Sequence, residues 1–370
     1  MASFKLVSAN EKQVWSAEYT SEYVRESGLL PYMGTTSNSI IRVTKELQDK
    51  SGATIHLPYF AKLSGPGVTG GTQLMGAEEN LKNYSTVVRT TLRRNGVKIQ
   101  ESETYKTELD VANAARSSLL NDSSEKLRND LLIAGQSVVI AGGLDTDGNP
   151  LEDTYKAFVN ASAAEKNAWL VANTDRILCG NVRANTSSGV LSTSLGNITA
   201  AQKLSAGVLN MAKTMAKKSN PFKITPYKTD ATAGREWYVL ACDSEGFRDV
   251  STDATIYAAN QHARAKDVDT NPIFQSGDLI YNGIIIREIP ELVEAGLVGA
   301  SGARVGHALL MGQNAIALAY SKMAEPRTQV WDYGMESNVA IVEVRGQSKM
   351  SAAGVQTGMV SIFHASALDA

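Results

Sequence analysis

The sequence predicts an α+β fold, and three observations carry that prediction. A long hairpin with a glycine-rich tip stands near the N-terminus, before any sign of a compact core. One unusually extended run at helical spacing follows it. After Pro221 strand chemistry dominates, with helical stretches mixed in and no regular strand–helix–strand alternation.

Residues 1–50 read as an arm. SAEYTSEYVRES (16–27) predicts a short helix ended by Gly28, and Pro31 and Gly34 then impose a turn. Ser39 to Leu47 alternates poorly and fits a short strand or a helix. The hairpin covers residues 53–100. ATIHLPYFAKL is its outgoing strand, which Pro58 restricts to an edge or a bulge. SGPGVTGGTQLMG is the tip, with five glycines in thirteen residues, too permissive to hold one conformation alone. YSTVVRTTLRRNGVKIQ returns as β-branched strand, with Asn95-Gly96 as a turn signal. A hairpin and arm of this kind cannot bury their own apolar faces, so they are expected to lie on another copy of the chain.

Residues 104–136 predict a long helix, with Leu109, Ala112, Ala115, Leu119, Leu127, Leu131 and Ala134 at helical spacing. Asn121-Asp122-Ser123-Ser124 is poor helix chemistry and is expected to bend or interrupt it. Unbroken, about 33 residues span roughly 50 Å, which makes a spine rather than a core element. A loop is expected over 142–150, a helix over 156–178 and a polar loop over 181–197. Thr199 to Lys218 predicts a helix striped by Ala201, Leu204, Val208, Met211 and Met215, with capping-box spacing at Thr199 and Gln202. Lys213, Lys217 and Lys218 sit where the helix dipole favours cations. Beyond Pro221, EWYVLACD, LIYNGIIIREIPEL, VAIVEVRG and GMVSIFHA read as strands, and HALLMGQNAIALAYSKM (307–323) as one more helix.

The 370 residues allow two domains or one domain with large extensions, and 43% apolar content supplies a core. Thirty-six basic against 38 acidic residues give a net charge of −2, without the basic excess of a dedicated nucleic-acid binder. Cys179 and Cys242 fit no metal spacing and read as buried, reduced thiols. The N-terminal stretch has no apolar signal-peptide core, and no window approaches about 18 uninterrupted apolar residues, so neither a leader nor a membrane span is expected. The Asn-x-Ser/Thr matches are accordingly read as chance.

Candidate chemistry is sparse. Gly65-x-Gly67-x-x-Gly70 matches a dinucleotide fingerprint, but Pro66 follows the first glycine and no helix opens at Gly70 to face a phosphate. Asp145-Thr146-Asp147-Gly148-Asn149 starts like a calcium loop, but its glycine is fourth rather than sixth and Lys156 stands where a bidentate Glu is needed. His56, His262, His307 and His364 are isolated from one another and from cysteine. Glu78 and Glu79 are adjacent on a strand and would face opposite sides, so they read as solvated or as partners for a neighbour's Arg. Arg93-Arg94 and the Lys213–Lys223 cluster read as a solvated face or as inter-subunit ion pairs, with phosphate binding as the alternative. No catalytic, cofactor or metal site is expected. Weight shifts to a structural role, with Leu74, Met75, Glu78, Glu79, Arg93 and Arg94 as candidate inter-subunit contacts.

The order of arm, glycine-tipped hairpin, spine helix and mixed sheets resembles the Hong Kong 97-type fold of tailed-bacteriophage major capsid proteins. The closer resemblance is to the N-four-like phage capsid family. It lies in Ser39-Ile40-Ile41-Arg42 with Glu46-Leu47, in Gly76-Ala77-Glu78-Glu79, in Gly277-Asp278 with Gly283-Ile284-Ile285, and in Leu309 to Ala315. The resemblance implies an N-terminal arm over 1–50, an extended E-loop over 51–103, a P-domain with the spine helix over 104–234 and an A-domain over 235–330. Residues 331–370 would supply C-terminal strands completing the P-domain or A-domain. It implies a non-enzymatic shell protein without cofactors that assembles with itself into hexamers and pentamers of an icosahedral head in the host bacterial cytoplasm. Portal and possibly scaffolding or decoration proteins would be its partners, and packaged double-stranded DNA a weak, non-specific contact; a membrane would not. The covalent Lys–Asn crosslink of the fold's namesake does not carry over, because nothing marks the required residues, and no separate N-terminal scaffolding segment is expected. An encapsulin-like compartment shell is the alternative, and a hydrolase with an unrecognised site the third reading.

Overall fold

The computed structural model describes residues 29–48, 53–63, 65, 67–71, 73–76, 78–79, 81–101, 111–143, 151–230, 235–263 and 279–368. The helix expected over 16–27 and the Asp145–Asn149 loop lie outside them. The chain divides into two compact units. Among described residues the smaller comprises Leu92–Leu127 and Lys322–Val344, and the larger is drawn from Gly28–Thr91, Arg128–Ser321 and Arg345–Ala370.

In the larger unit, β1 (Met33–Gly34) and β2 (Ile41–Thr44) pair in parallel, and β3 (Thr54–Phe60) and β4 (Asn83–Arg89) form an antiparallel ribbon with Pro58 opposite Ser85. Pro58 is tolerated because β3 pairs with β4 alone and its missing N–H disrupts no second ladder. Chain continuity leads through β5 (Thr91–Gln100) and α1 (Val111–Gly135) to a small pair, β6 (Val138–Ile140) and β7 (Thr154–Lys156). The helix expected over 156–178 is shorter: α2 is Ala163–Ala172. Ser162 and Glu165 close a capping box at its start, Asn173 caps its end, and β8 (Ile177–Cys179) follows as a strand. The segment expected as a polar loop over 181–197 is also structured. It holds a 3-10 turn, Arg183–Thr186, and α3 (Leu191–Gly196), whose Leu191 and Leu195 reach the core. The next helix, α4 (Ala206–Lys218), starts later than Thr199, because Lys203 is drawn into a parallel bridge with Ala365.

Beyond α4 come β9 (Lys228–Asp230), β10 (Arg235–Cys242), α5 (Ser244–Thr252), α6 (Ala254–Ala263), β11 (Leu279–Tyr281) and β12 (Ile284–Glu288). The stretch expected as a helix over 307–323 is instead two strands, β13 (Val305–Met311) and β14 (Ile316–Trp331). A continuous apolar run reads alike for a buried helix and a central strand. Here every residue of β13 is buried between neighbouring strands, and a turn at Gln313-Asn314, with Asn314 at φ 49°, separates it from β14. β15 (Glu336–Lys349), β16 (Ser351–Ala352), β17 (Val355–Gln356) and β18 (Met359–Ala365) complete the chain.

The core is a seven-stranded mixed sheet in the order β11-β12-β10-β13-β18-β8, with β9 on β10. Alternate residues separate onto its two faces. Tyr238, Leu240, Cys242, Ala308, Leu310, Val360 and Ile362 pack with α4 on one face. Ile177, Cys179, Val305, Phe363 and Ala365 pack with α2 and α3 on the other. Burial on both faces explains why the strands read as unbroken apolar runs. The inner end of β14, Ile316–Ala319, pairs in parallel with β2.

In the smaller unit β15 lies between β14 and β5. The first half of α1 covers one face through Ala115 and Leu119, which meet Ile99, Val339 and Ile341. Asn95-Gly96 makes no turn but lies inside β5. A Cβ at Gly96 would stand 3.2 Å from Ala340 Cβ, so glycine here answers a close strand approach. α1 runs unbroken through Asn121–Ser124. Asp122 accepts from Lys126 Nζ at 2.7 Å and Asn95 Nδ2 at 2.7 Å, so its carboxylate is engaged sideways instead of competing for helix backbone.

Candidate inter-subunit contact surfaces

Four of the six predicted contact residues share the tip between β3 and β4. The ladder extends one step beyond β3, with Ala61 N–H donating to Lys82 O at 3.0 Å, and then the chain opens. Gly67, Gly70 and Gly76 carry φ of 69°, 71° and 86°, a region that other L-residues adopt at a cost. Glu78 Oε2 accepts from Gly76 N–H at 2.7 Å, and Glu79 Oε2 accepts from Gly65 N–H at 2.6 Å. One oxygen of each carboxylate therefore organises the tip itself. Leu74 and Met75 project from it 59% and 86% exposed, and Phe60, Leu63 and Leu81 add exposed apolar surface along its base.

Arg93 and Arg94 lie on β5 in the smaller unit. They line a shallow cleft with Asp122, Lys126 and Glu343 above Leu119 and Ile341. The cleft lining carries charges of both signs. Burial alone would raise the Asp122 carboxyl, but its bonds from Lys126 and Asn95 outweigh that and hold it below the usual range.

A further exposed surface escaped the sequence reading. The end of the β14–β15 hairpin carries Val330, Trp331, Tyr333 and Met335, all exposed. Asp332 and Tyr333 have φ of 49° and 53°, and Gly334 follows at 100°. Assigning part of β14 to a helix hid this hairpin. The signal that could have revealed it is the polar, β-branched run after Ala324 with Pro326 inside it, which suits an edge strand better than a helix.

The described residues also gather buried polar groups. Ser366 Oγ donates to Asp243 Oδ2 at 2.8 Å, and His364 Nε2 lies 3.2 Å from Asp243 Oδ1. All three residues are buried, and the serine reaches the aspartate rather than the imidazole. A hydrolase triad needs the opposite order and an opening to substrate. Burial would raise Asp243, but His364, Ser366 and the Gly246 N–H together lower it. Asp243, Glu245 and Glu294 bring carboxylate oxygens within 4.8 Å of one another, the one grouping among described residues that could hold a metal ion. Arg304 pairs with Glu294 there and is raised chiefly by that bond, with further attraction from Glu245 and Asp243. Its guanidinium therefore already supplies the cation that these carboxylates require. His56 Nδ1 lies 3.3 Å from Glu152 Oε1. His307 stacks on Phe363 at 4.4 Å, and His262 lies where its side chain is not described.

Comparisons with known proteins bear on the whole chain. The family model described as "Phage capsid protein" matches residues 3–368. The chain is 26% identical over 360 residues to the major capsid protein of Pseudomonas phage KPP25, covering 93% of this chain and 90% of that protein. A chain of the capsid asymmetric unit of Cyanophage Pam1 is similar with a TM-score of 0.90 at 36% identity, and both chains are covered over 100% of their length. The capsid of Ralstonia phage GP4 is similar with a TM-score of 0.73 at 21% identity, again over 100% of both chains, a likeness of fold.

Proposed function

The chain belongs to the phage capsid protein family and is a major capsid protein of a phage, and from that premise we propose that it builds the icosahedral head around a double-stranded DNA genome. The observation that carries this reading is the match along nearly the whole chain, residues 3–368, rather than along one module. The relatives are phage capsids, so an encapsulin-like compartment is not favoured.

In this reading the fold is of the Hong Kong 97 type. The arm is 1–50, the E-loop 51–103, the P-domain 104–234 and the A-domain 235–330, with residues 331–370 completing one of the two domains. Support comes from a two-stranded ribbon whose apolar tip residues are exposed among the described residues, and from a helix described over Val111–Gly135, within the proposed P-domain. Copies meet head to tail around rings that serve as hexamers and pentamers, because a closed shell from one chain needs heterologous contacts that close by rotation. The subunit performs no catalysis. Among the described residues the buried Ser366, Asp243 and His364 stand in the wrong order for a catalytic triad. A net charge of −2 suits an inner wall that touches packaged DNA without gripping it. Assembly in the bacterial cytoplasm, with a portal and with scaffolding or decoration proteins, completes the reading.

The test is electron microscopy of the purified protein beside its Leu74→Asp variant. Closed shells are expected from the wild type. The variant is expected to keep the subunit's circular dichroism and lose at least tenfold in particle yield, because burying a leucine is worth about 1.5–3 kcal/mol at every contact. Small monomers from the wild type in all salt and crowding conditions would defeat the reading. Normal assembly of the variant would defeat the role of the tip alone.

A further inference from the structure

We propose that Asn282, in the turn between β11 and β12, is a self-modifying site. Its carboxamide closes on the backbone nitrogen of Gly283, loses ammonia and reopens with water as aspartate or isoaspartate. The chemistry lies within one chain and does not depend on the shell reading above.

Asn282 and Gly283 make a two-residue turn with φ of 45° and 73°, across which Tyr281 stands opposite Ile284. Asn282 is exposed, and β11 is an edge strand of the central sheet. Gly283 has no side chain to keep its nitrogen from Asn282 Cγ. What sets this pair apart is Lys213 on α4. Its Nζ donates to the backbone oxygen of Asn282 and, at 3.3 Å, to Asn282 Oδ1. Asn282 Nδ2 donates to Asn210 Oδ1 at 2.8 Å, which turns the carboxamide with its oxygen toward the ammonium. Glu236, the carboxylate whose charge acts on Lys213, is itself bridged to Lys217. The other Asn-Gly pair, Asn95-Gly96, lacks this assistance. It lies inside β5, and Asn95 Oδ1 already accepts from Gly96 N–H at 3.0 Å. Asn95 Nδ2 donates to the Asp122 carboxylate at 2.7 Å, whose charge opposes a second negative charge on that carboxamide.

One ammonium therefore serves both ends of the reaction. On the peptide oxygen it stabilises the anion left when the Gly283 N–H gives its proton to solvent hydroxide. On Oδ1 it draws electrons from Cγ and stabilises the negative charge that forms as the nitrogen adds. Collapse of that adduct expels Nδ2 as ammonia, which takes its proton from water, and leaves a five-membered imide. Water then adds to either imide carbonyl and breaks its bond to the Gly283 nitrogen. Breaking the bond at the side-chain carbonyl gives aspartate, and breaking it at the main-chain carbonyl gives isoaspartate. In both products the new carboxylate carries an oxygen that Lys213 already contacts. Isoaspartate also lengthens the main chain by a methylene where space is short. A Cβ on Gly283 would stand 2.5 Å from Glu236 O, and Gly283 O accepts from Tyr238 N–H at 2.9 Å. Conversion thus adds a negative charge and loosens the β12–β10 edge.

The experiment stores the purified full-length protein at mildly alkaline pH in heavy-oxygen water, folded and in urea, and maps its peptides by mass spectrometry. Each conversion then carries a heavy-oxygen label. In urea the two Asn-Gly pairs should convert at equal rates. In the folded protein the Asn282 peptide should convert at least tenfold faster than the Asn95 peptide and give both aspartate and isoaspartate. Lys213→Met should slow Asn282 at least fivefold in the folded protein and leave its rate in urea unchanged. Lys213→Arg, which keeps a cation over the turn, should restore most of the rate. The comparison of the two pairs in the wild type stands whether or not the Lys213→Met variant folds. Folded wild type that leaves Asn282 intact, or converts it no faster than Asn95, would overturn the proposal. Folded Lys213→Met that converts Asn282 as fast as the wild type would overturn it equally.

Discussion

Lys349 sits in an environment far from its ordinary chemistry. Its side chain is wholly buried, donating to Ser137 O at 2.7 Å and Gln356 Oε1 at 3.2 Å, with Nζ 5.3 Å from the Trp169 ring. Burial pushes its ammonium from 10.5 down to about 7. The neighbouring His307 is pushed well below its usual value by burial first, then by Lys349 and His364. Because the folded value lies below the unfolded one, the unfolded chain holds more protons between about pH 7 and pH 10.5. Stability therefore rises with pH across that window, and below it the full penalty, on the order of 5 kcal/mol, is present. Lys349→Met removes the buried charge and leaves two neutral acceptors unpaired, at about 1–3 kcal/mol each. The two effects are of similar size at pH 7, so the variant should lie within about 2 kcal/mol of the wild type there. At pH 9.5 it should fall behind by a few kcal/mol more. Urea titrations of dispersed subunits at the two pH values measure this, and parallel pH slopes would show that the Lys349 proton is not the cause.

At the scale of elements, what was legible in the sequence followed from burial geometry. Strands β10, β12, β15 and β18 and the β3–β4 ribbon were readable, because β-branched runs bounded by turn residues have no competing interpretation. β13 and the start of β14 were not, since burial on both faces erases the period-two signal that separates strand from helix. The candidate site was legible in part for a related reason. Glycines and exposed apolar residues marked the β3–β4 tip, but the β14–β15 end depended on a strand assignment that the apolar run obscured. Asn95-Gly96 misled because turn chemistry and a need for close strand approach both select glycine. The close approach can be tested directly. Gly96→Val places methyl groups against Ala340 and the Val339 carbonyl and should destabilise the smaller unit by about 1–3 kcal/mol. Gly71→Ala, in the open tip where nothing lies within 4 Å, should leave stability unchanged. Thermal melts of the two variants compare them, and equal melting temperatures would mean that β5 and β15 are looser than their spacing indicates.

For the whole molecule, the two thiols report on how the core is layered. Cys242 packs on the α4 face of the central sheet and Cys179 on the α2–α3 face. Both are free, fully buried and held as neutral thiols by burial, Cys179 pushed up to about 12 and Cys242 raised well above its usual value by burial first, then by Asp243 and Glu288. A sheet separates them, so they cannot meet within one chain without unfolding the core. Burial equally keeps each from a thiol on a neighbouring copy. Shells left under air should therefore show no disulfide-linked ladder on non-reducing gels. Iodoacetamide should label neither cysteine in the assembled or dispersed protein until denaturant is added, after which both should label together, since unfolding of the larger unit exposes both faces of one sheet. Labelling of Cys179 alone at low denaturant would mean that the α2–α3 layer opens independently of the rest. A ladder that disappears with reductant would mean that one of these faces is exposed during assembly, and the core would then have to rearrange as copies join.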